Sequence, residues 1–412
     1  MYLRPMTLLS ILVLTCGQCL AGAAALPRAE VVHWWTSRSE SAALKVIASH
    51  YRAAGGVWID TAVTGSEQAR AVAMKRILGG TPPAAAQFNT SKLFLDLIEE
   101  DMLENVDELA RTLNWDTTLP EPVRSVIKVR GHYYAVPVSL HFPTVIWYSR
   151  AALKRAGVRK QPTTMAELFS TLDKLKGAGL VALAHGGEAW EKQITFMALL
   201  SNMTNKNFYL KILRDKDADS IRSTEFRKVL LTFKRLRSYT DSDVPGRSWH
   251  EATGMLLRGE AGVQIMGDWV KGEIVAAGMQ PGEDIGCTSS YSNDGPLIIN
   301  GDAFIFPKSG RADVRKAQKL LSEVITAEQT QLAFSRIKGS VPLSVTDDRI
   351  NIDSCTLEAV ALAKDTQRHV GNGVTYLTAG QNQAMESVLV QYWDTNMSIE
   401  AAQEGFVTAL RR

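Results

Sequence analysis

The stretch Glu30-Val31-Val32-His33-Trp34-Trp35-Thr36-Ser37-Arg38-Ser39-Glu40 starts apolar, passes through two adjacent tryptophans and ends in small polar residues. Glu30 to Trp34 reads as a first strand. Ser39 to Ala53 then shows helical spacing at Ala43, Val46, Ile47 and Tyr51, with Ser39 as its N-cap. Gly55-Gly56 stops that helix, and Val57 to Val63 alternates as a second strand. Glu67 to Leu78 is helical and ends at Gly79-Gly80, and Ala84 to Phe88 forms a third short strand. Strand alternating with helix predicts a parallel α/β sheet. Ligands of such sheets collect outside the carboxyl ends of the strands, where Trp34-Trp35 and the polar residues Asn89, Thr90 and Lys92 fall. Because strand side chains alternate, one tryptophan is expected to pack inward and the other to face a cleft. A flat ring beside Ser37 and Glu40 suits a pyranose, which offers an apolar face and a rim of hydroxyls. The alternative is that both rings are packing residues.

At 412 residues the chain exceeds a usual single core, so two lobes are expected. Residues 1–25 read as a secretory signal peptide: Arg4 in the charged region, an apolar run from Leu8 to Leu14, and small residues from Ala21 to Ala25. Leu14-Thr15-Cys16 is a poor lipobox, and no later segment resembles a membrane span. Removing the leader takes away Arg4 and no acidic residue, so the formal net charge of +3 becomes +2. That near-neutral balance gives no footprint for nucleic acid. Two cysteines remain, Cys287 and Cys355. An even pair in an exported, oxidising compartment points to a disulfide closing a loop of about 68 residues, worth roughly 4 kcal/mol on the entropic model. Two buried thiols are the alternative.

Further along, Ala135 to His141 and Thr144 to Tyr148 are extended runs, and Pro137 suits a crossing segment better than a central strand. A second α/β block follows, with helices at Arg150–Ala156 and Thr164–Gly177 and a strand at Leu180–Ala184. Gly259 to Trp269 is a buried strand ending in another tryptophan, and Ile298 to Phe306 reads as one long strand with polar residues set in an apolar frame. After a helix at Ala312–Thr326, Ile337 to Pro342 forms a Gly-containing turn, and the C-terminal portion is helical with Arg368–Thr378 irregular.

These landmarks, in this order, resemble the family 1 extracellular solute-binding proteins of sugar ABC transporters, most of all their glucose/mannose-binding branch. The stretches that carry the resemblance are His33–Glu40, Gly79–Thr90, Tyr134–Val138, Met266–Glu273, Gly301–Phe304 and Lys338–Pro342. The resemblance implies an α/β, two-lobed, type II periplasmic binding protein fold with about three hinge crossings and a sugar cleft between the lobes. The crossings map near Val138–Leu140, Ile298–Asn300 and Leu343–Asp347. The N-terminal lobe then takes residues 26–138 plus 299–343, and the C-terminal lobe 139–298 plus 344–412. Both cysteines fall in the second lobe, and in similar proteins that pair is bonded. Carried over by position, the resemblance implies sugar contacts at Trp34, Trp35, Glu40, Gln87, Asn89, Lys92, Trp269, Asn300, Asp302, Lys338 and Asn372. Asn372 stands where close relatives tend to carry histidine, and His369 nearby reads as a surface residue. The implied role is to capture a sugar, a monosaccharide such as glucose or mannose, in the periplasm. A monomer would deliver it to the permease subunits of an ABC importer, whose ATPase acts indirectly, with no cofactor and no chemistry of its own.

Rival readings share some of these residues. A glycoside hydrolase needs two carboxylates at a set separation, and Glu40 with Asp302 would be the pair. A chemoreceptor-only sugar sensor would share the fold and differ in partner. No Gly-x-Ser-x-Gly elbow supports an esterase, and His185-Gly186-Gly187-Glu188 reads as a glycine-rich turn. The seven histidines show no paired spacing for a metal.

Overall fold

The computed structural model describes residues 26–343 and 353–411. The expected signal peptide lies outside them. Nine strands build the two larger sheets: β1 (Arg28–His33), β2 (Val57–Ala62), β3 (Ala85–Asn89), β4 (Ala135–His141), β5 (Val145–Ser149), β6 (Val181–Ala184), β7 (Ala261–Met266), β8 (Ile285–Thr288) and β9 (Asn300–Ile305). The first sheet runs β2-β1-β3-β9-β4 and the second β8-β5-β7-β6. β1 pairs in parallel with β2 and β3, as the alternation of strand and helix requires. Beyond β3 the expectation of an all-parallel sheet fails. β9 returns from the far half of the chain and lies antiparallel to both β3 and β4, giving a mixed sheet.

Local chemistry explains the element ends. The helix Arg38–Ala53 is capped by Ser37 rather than by Ser39. The Ser37 hydroxyl accepts from the Glu40 N–H, and the Glu40 carboxylate accepts from the Ser37 N–H, which closes a capping box. Pro137 sits in β4, which is an edge strand rather than a bare crossing segment. The register slips between Asp302 and Ala303 beside it, as a missing donor allows at an edge. Gly339 ends the helix Glu328–Lys338 at φ 89°, where a Cβ would come within 2.6 Å of the Asp268 carbonyl. Only glycine gives both that backbone and that approach.

The chain passes between the two sheets at positions that differ from expectation. β4 stays in the first sheet as far as His141, so the first crossing is at 142–144, past Val138–Leu140. The apolar run Ile298–Phe306 is not one strand. It breaks at Ile299, because Leu297–Ile298 pairs with His369–Val370 while β9 belongs to the first sheet. Leu140 and Val341 exchange backbone hydrogen bonds of 2.8 and 2.9 Å, which ties the returning chain to β4. The third expected crossing, past Leu343, lies mostly outside the described residues. The two large apolar cores among the described residues hold, in one, Trp35, Phe88, Phe94, Phe304 and Phe334 and, in the other, Phe196, Phe226, Phe233, Trp393 and Phe406.

Cys287 of β8 and Cys355 of the helix Ser354–Lys364 are bonded, with their Cα atoms 5.9 Å apart. Thiol labelling of the exported chain, denatured without reductant, is expected to find no free cysteine beyond residue 25; two labelled thiols would refute the bond. Among the described residues no helix is long and apolar enough to cross a membrane.

Candidate functional site

A cleft of about 600 Å³ lies between the two sheets. Its floor is built where β3, β9 and β4 run side by side, with Asp302 of β9 opposite Asn89 of β3 and Ser139 of β4. Asn89 donates from Nδ2 to Asp302 Oδ1 at 3.1 Å. His141, two residues past Ser139 and thus on the same face, lies 3.2 Å from Asp302 Oδ2 through Nε2. Its Nδ1 lies 2.6 Å from Asp268 Oδ1, on the loop that follows β7 in the second lobe. The other Asp268 oxygen accepts from the Phe142 N–H at 3.0 Å. All three ionisable side chains are buried. Burial opposes a charge on His141, but Asp268 and then Asp302 outweigh it and push its pKa up to about 9. Both ring nitrogens therefore carry protons and donate at neutral pH. Burial likewise works against the Asp302 charge; the hydrogen bond and charge of His141, followed by the charge of Lys338, win and hold it below its ordinary range.

A second buried pair stands beside the first. Lys338 Nζ lies 3.1 Å from Glu40 Oε1 and 5.5 Å from the centroid of the Trp269 ring. The capping carboxylate of Glu40 thus also holds the lysine under the ring. Trp269 meets His141 edge-on at 5.5 Å, and Trp190 and Trp249 at 6.4 Å each, so an aromatic wall rises from the second lobe. Ser39 has a different use from the expected cap. Together with Ser37 it donates to Glu273 Oε1 of the helix Val270–Ala276, at 2.6 to 3.1 Å, so a second-lobe carboxylate sits on a first-lobe helix N-terminus.

The tryptophan pair divides. Trp35 is 1 % exposed and packs on Phe304 at 5.8 Å and Phe334 at 5.1 Å, although it also lines the cleft. Trp34 is half-buried, with the Arg70 guanidinium 5.6 Å from its ring centroid. Among the described residues the buried Asn300 Oδ1 acceptor of the cleft lining has no partner, and the Trp35 Nε1 donor falls short of hydrogen-bond geometry while still helping to hold Asp302 low.

Of the eleven residues singled out from sequence, Trp34, Trp35, Glu40, Asn89, Trp269, Asn300, Asp302, Lys338 and Asn372 line the cleft. Gln87 lies behind it, accepting from the Trp34 N–H at 3.0 Å. Lys92 lies to one side and straps the lobes together: its N–H donates to the Val374 carbonyl at 3.0 Å and its Nζ to the Tyr376 carbonyl at 3.4 Å. His369 is not a surface residue. It is buried, with Nε2 at 3.0 Å from the Leu362 carbonyl, and is absent from the cleft lining. Sequence reasoning passed over His141, Asp268, Trp190 and Trp249, although Trp190 and Trp249 begin helices just as Trp269 does. It also missed the far end of the cleft, where Glu67 and Arg70 of the helix Ser66–Leu78 face Asn382 and Glu386 of the helix Ala379–Asp394. Among the described residues no group of three His, Cys, Asp or Glu side chains is placed to hold a metal ion.

Known proteins are similar to this chain in sequence and in fold. A probable sugar-binding periplasmic protein of Rhizobium meliloti is 34% identical over 356 residues, 86% of this chain and 84% of that one. One of Brucella melitensis is 32% identical over 389 residues, covering 92% and 91%. Among solved structures, a chitin oligosaccharide binding protein superposes with a TM-score of 0.77 at 15% identity, over 93% of this chain and 98% of the other. A solute receptor described as having an exclusive preference for β-D-galactopyranose gives 0.75 at 19% identity, over 93% and 97%. At those identities the structures speak for the two-lobed fold of type II periplasmic sugar-binding proteins. Residues 35–331 match the family described as Bacterial extracellular solute-binding protein. With that match across most of the chain, and relatives more than 30% identical along nearly its full length, this protein belongs to the bacterial extracellular solute-binding proteins.

Proposed function

We propose that the protein is the periplasmic substrate-binding component of an ABC importer, which takes up a sugar in the cleft and hands it to the membrane permease. A monosaccharide such as glucose or mannose sits at the floor. The observation that carries this reading is the pairing of aromatic faces with poorly satisfied polar atoms at one place. Trp269 and Trp34 offer flat apolar surface, while the Asn300 Oδ1 stands unpaired and the Trp35 N–H has only a loose hold on Asp302. A buried polar atom without a partner costs about 1–3 kcal/mol, and a sugar hydroxyl can donate to the one and accept from the other. Discrimination between epimers follows, because a hydroxyl on the wrong side leaves these atoms without that partner. The sugar-binding periplasmic relatives support the ligand class and the compartment. Contacts between the lobes on both sides of the cleft, at Glu273 and at Lys92, fit a hinge that closes on its ligand.

Glu40 and Asp302, the pair a hydrolase would use, do not favour hydrolysis. A general acid needs a raised pKa, whereas Asp302 is held low by a buried cation, and Glu40 is paired to Lys338. Titration calorimetry against glucose, mannose and a panel of other sugars is expected to give saturable binding with the sugar recovered unchanged. Release of a product sugar would overturn the reading in favour of a hydrolase, and no binding to any sugar would remove it.

A further inference from the structure

The carboxylate of Glu386 takes its surroundings from both lobes. It lies on the second-lobe helix Ala379–Asp394, lines the cleft and is buried. Its own lobe gives it neutral support. Asn382, one turn earlier, donates from Nδ2 to Glu386 Oε1 at 3.0 Å, and Gln193 Nε2 of the helix Ala189–Met203 donates to Asn382 Oδ1 at 2.7 Å. The loop that carries Asn372 presses on this relay, since a Cβ on Gly373 would fall 2.5 Å from Gln193 Nε2 and 3.1 Å from Asn382 Oδ1. The charged groups that act on Glu386, Glu67 and Arg70, both stand across the cleft on the first-lobe helix Ser66–Leu78. Arg70 makes no ion pair among the described residues and lies instead against the face of Trp34, 5.6 Å from the ring centroid.

Burial, followed by the Glu67 charge, pushes the Glu386 carboxyl up to about 7, against the Asn382 hydrogen bond and the Arg70 charge. Both raising causes depend on the two helices standing face to face. With the lobes parted, water enters between them and hydrates the carboxyl on its cleft side. Glu67 recedes at the same time, and its charge is screened over about 8 Å at physiological salt. Glu386 then returns toward the usual glutamate value of 4.5.

Resting on the reading of a cleft that closes on sugar, we propose that closure transfers a proton from solvent to Glu386, so that the protein holds sugar more tightly in acid than in alkali. The sign follows from linkage. The closed form binds this proton more tightly than the open one. Its advantage is therefore complete below the open-form value and is lost as pH rises through about 7. Glu386 acts here on the balance between open and closed lobes, without a bond to the sugar.

Calorimetry on the full exported chain tests this, with the tightest binder among glucose, mannose, galactose and maltose. At pH 6, titrations in phosphate and in imidazole, which differ in ionisation enthalpy, are expected to show uptake of about 0.5–1 proton per sugar bound. Affinity is expected to fall about tenfold between pH 5 and pH 8 at fixed salt. Glu386→Gln copies the protonated form. It is expected to take up no proton, to keep a flat affinity across that range, and to bind about tenfold more tightly than wild type at pH 8. A merely structural role would give no such gain. Glu67→Gln, an exposed change on the opposite lobe, is expected to shrink the pH dependence and decides the matter if Glu386→Gln fails to fold. Sugar binding without proton uptake at pH 6, or the same pH dependence in wild type and both variants, would overturn the proposal. Failure of all four sugars to bind at any pH would instead bring down the sugar reading, and the proposal with it.

Discussion

Replacing His141 by alanine is expected to destabilise the protein by about 3–5 kcal/mol, the usual cost of breaking a buried ionic contact from one side. The residue is 2 % exposed, and its ring separates two carboxylates that are themselves 4 % and 5 % exposed. Without it, Asp268 and Asp302 lose their shared cation; Asp302 keeps Asn89, the charge of Lys338 and the weaker hold of Trp35. Asp268 belongs to the second lobe and His141 to the first, so the loss also loosens the lobes from one another. The surface pair Arg258–Glu260, at 2.8 Å, serves as the control. Both its partners are well exposed, so Arg258→Ala is expected to cost less than about 1 kcal/mol. Denaturant midpoints of the three proteins measure the difference, and a His141→Ala loss no greater than that of the control would show that the network does not hold the floor together.

The same residue sets a direction for pH. Its folded pKa, about 9, lies above the value of about 6.5 for an unfolded chain. The folded protein therefore binds this proton more tightly, and the stabilisation is complete below about pH 6.5 and lost as pH rises through 9. Asp302 has the opposite sign. Its pKa is lowered, so its contribution is present above the unfolded carboxylate range and lost as pH falls through the folded value. Stability is expected to decline on the alkaline side between these two His141 values, and that decline should vanish in His141→Ala.

How much of this was legible in the sequence follows from how far apart the causes lie. The order of strand and helix from β1 to β3 is written in local periodicity, glycine stops and caps, and it folds as read. Ser37 and Ser39 show the limit of that reading: either suits an N-cap, and Glu273, more than 230 residues away, draws Ser39 elsewhere. The break at Ile299 is invisible for the same reason, since an apolar run looks continuous whichever sheet receives each half. His141 and Asp268 are 127 residues apart, and nothing in a strand of type Ala-Val-Pro-Val-Ser-Leu-His says that its last residue meets a buried carboxylate. Asp302, Lys338 and Asn300 became visible through resemblance rather than through spacing. Arg70 and Glu386 stayed hidden because each is a charge on a helix, where a charge normally marks the solvent face.

Trp269→Ala is expected to weaken sugar binding by about a hundredfold, the largest effect of any single side chain at the floor. A tryptophan buries some 150–250 Å² in all, and covering about 100 Å² of its face with a pyranose is worth roughly 2.5 kcal/mol at 25 cal/mol/Å². That loss of about 2.5 kcal/mol is on the order of a hundredfold in affinity. Trp269→Phe keeps a flat face over Lys338 and is expected to lose about tenfold or less. Trp35 does not supply such a platform, since its ring is 1 % exposed and lies in the first core against Phe304 and Phe334. The indole of Trp269, by contrast, is partly open, backed by Trp190 and Trp249, and free to shed water onto a sugar face. Calorimetry decides: an alanine variant that unfolds at the wild-type temperature yet binds its sugar within threefold of wild type would take Trp269 out of the site and leave the aromatic wall without a function.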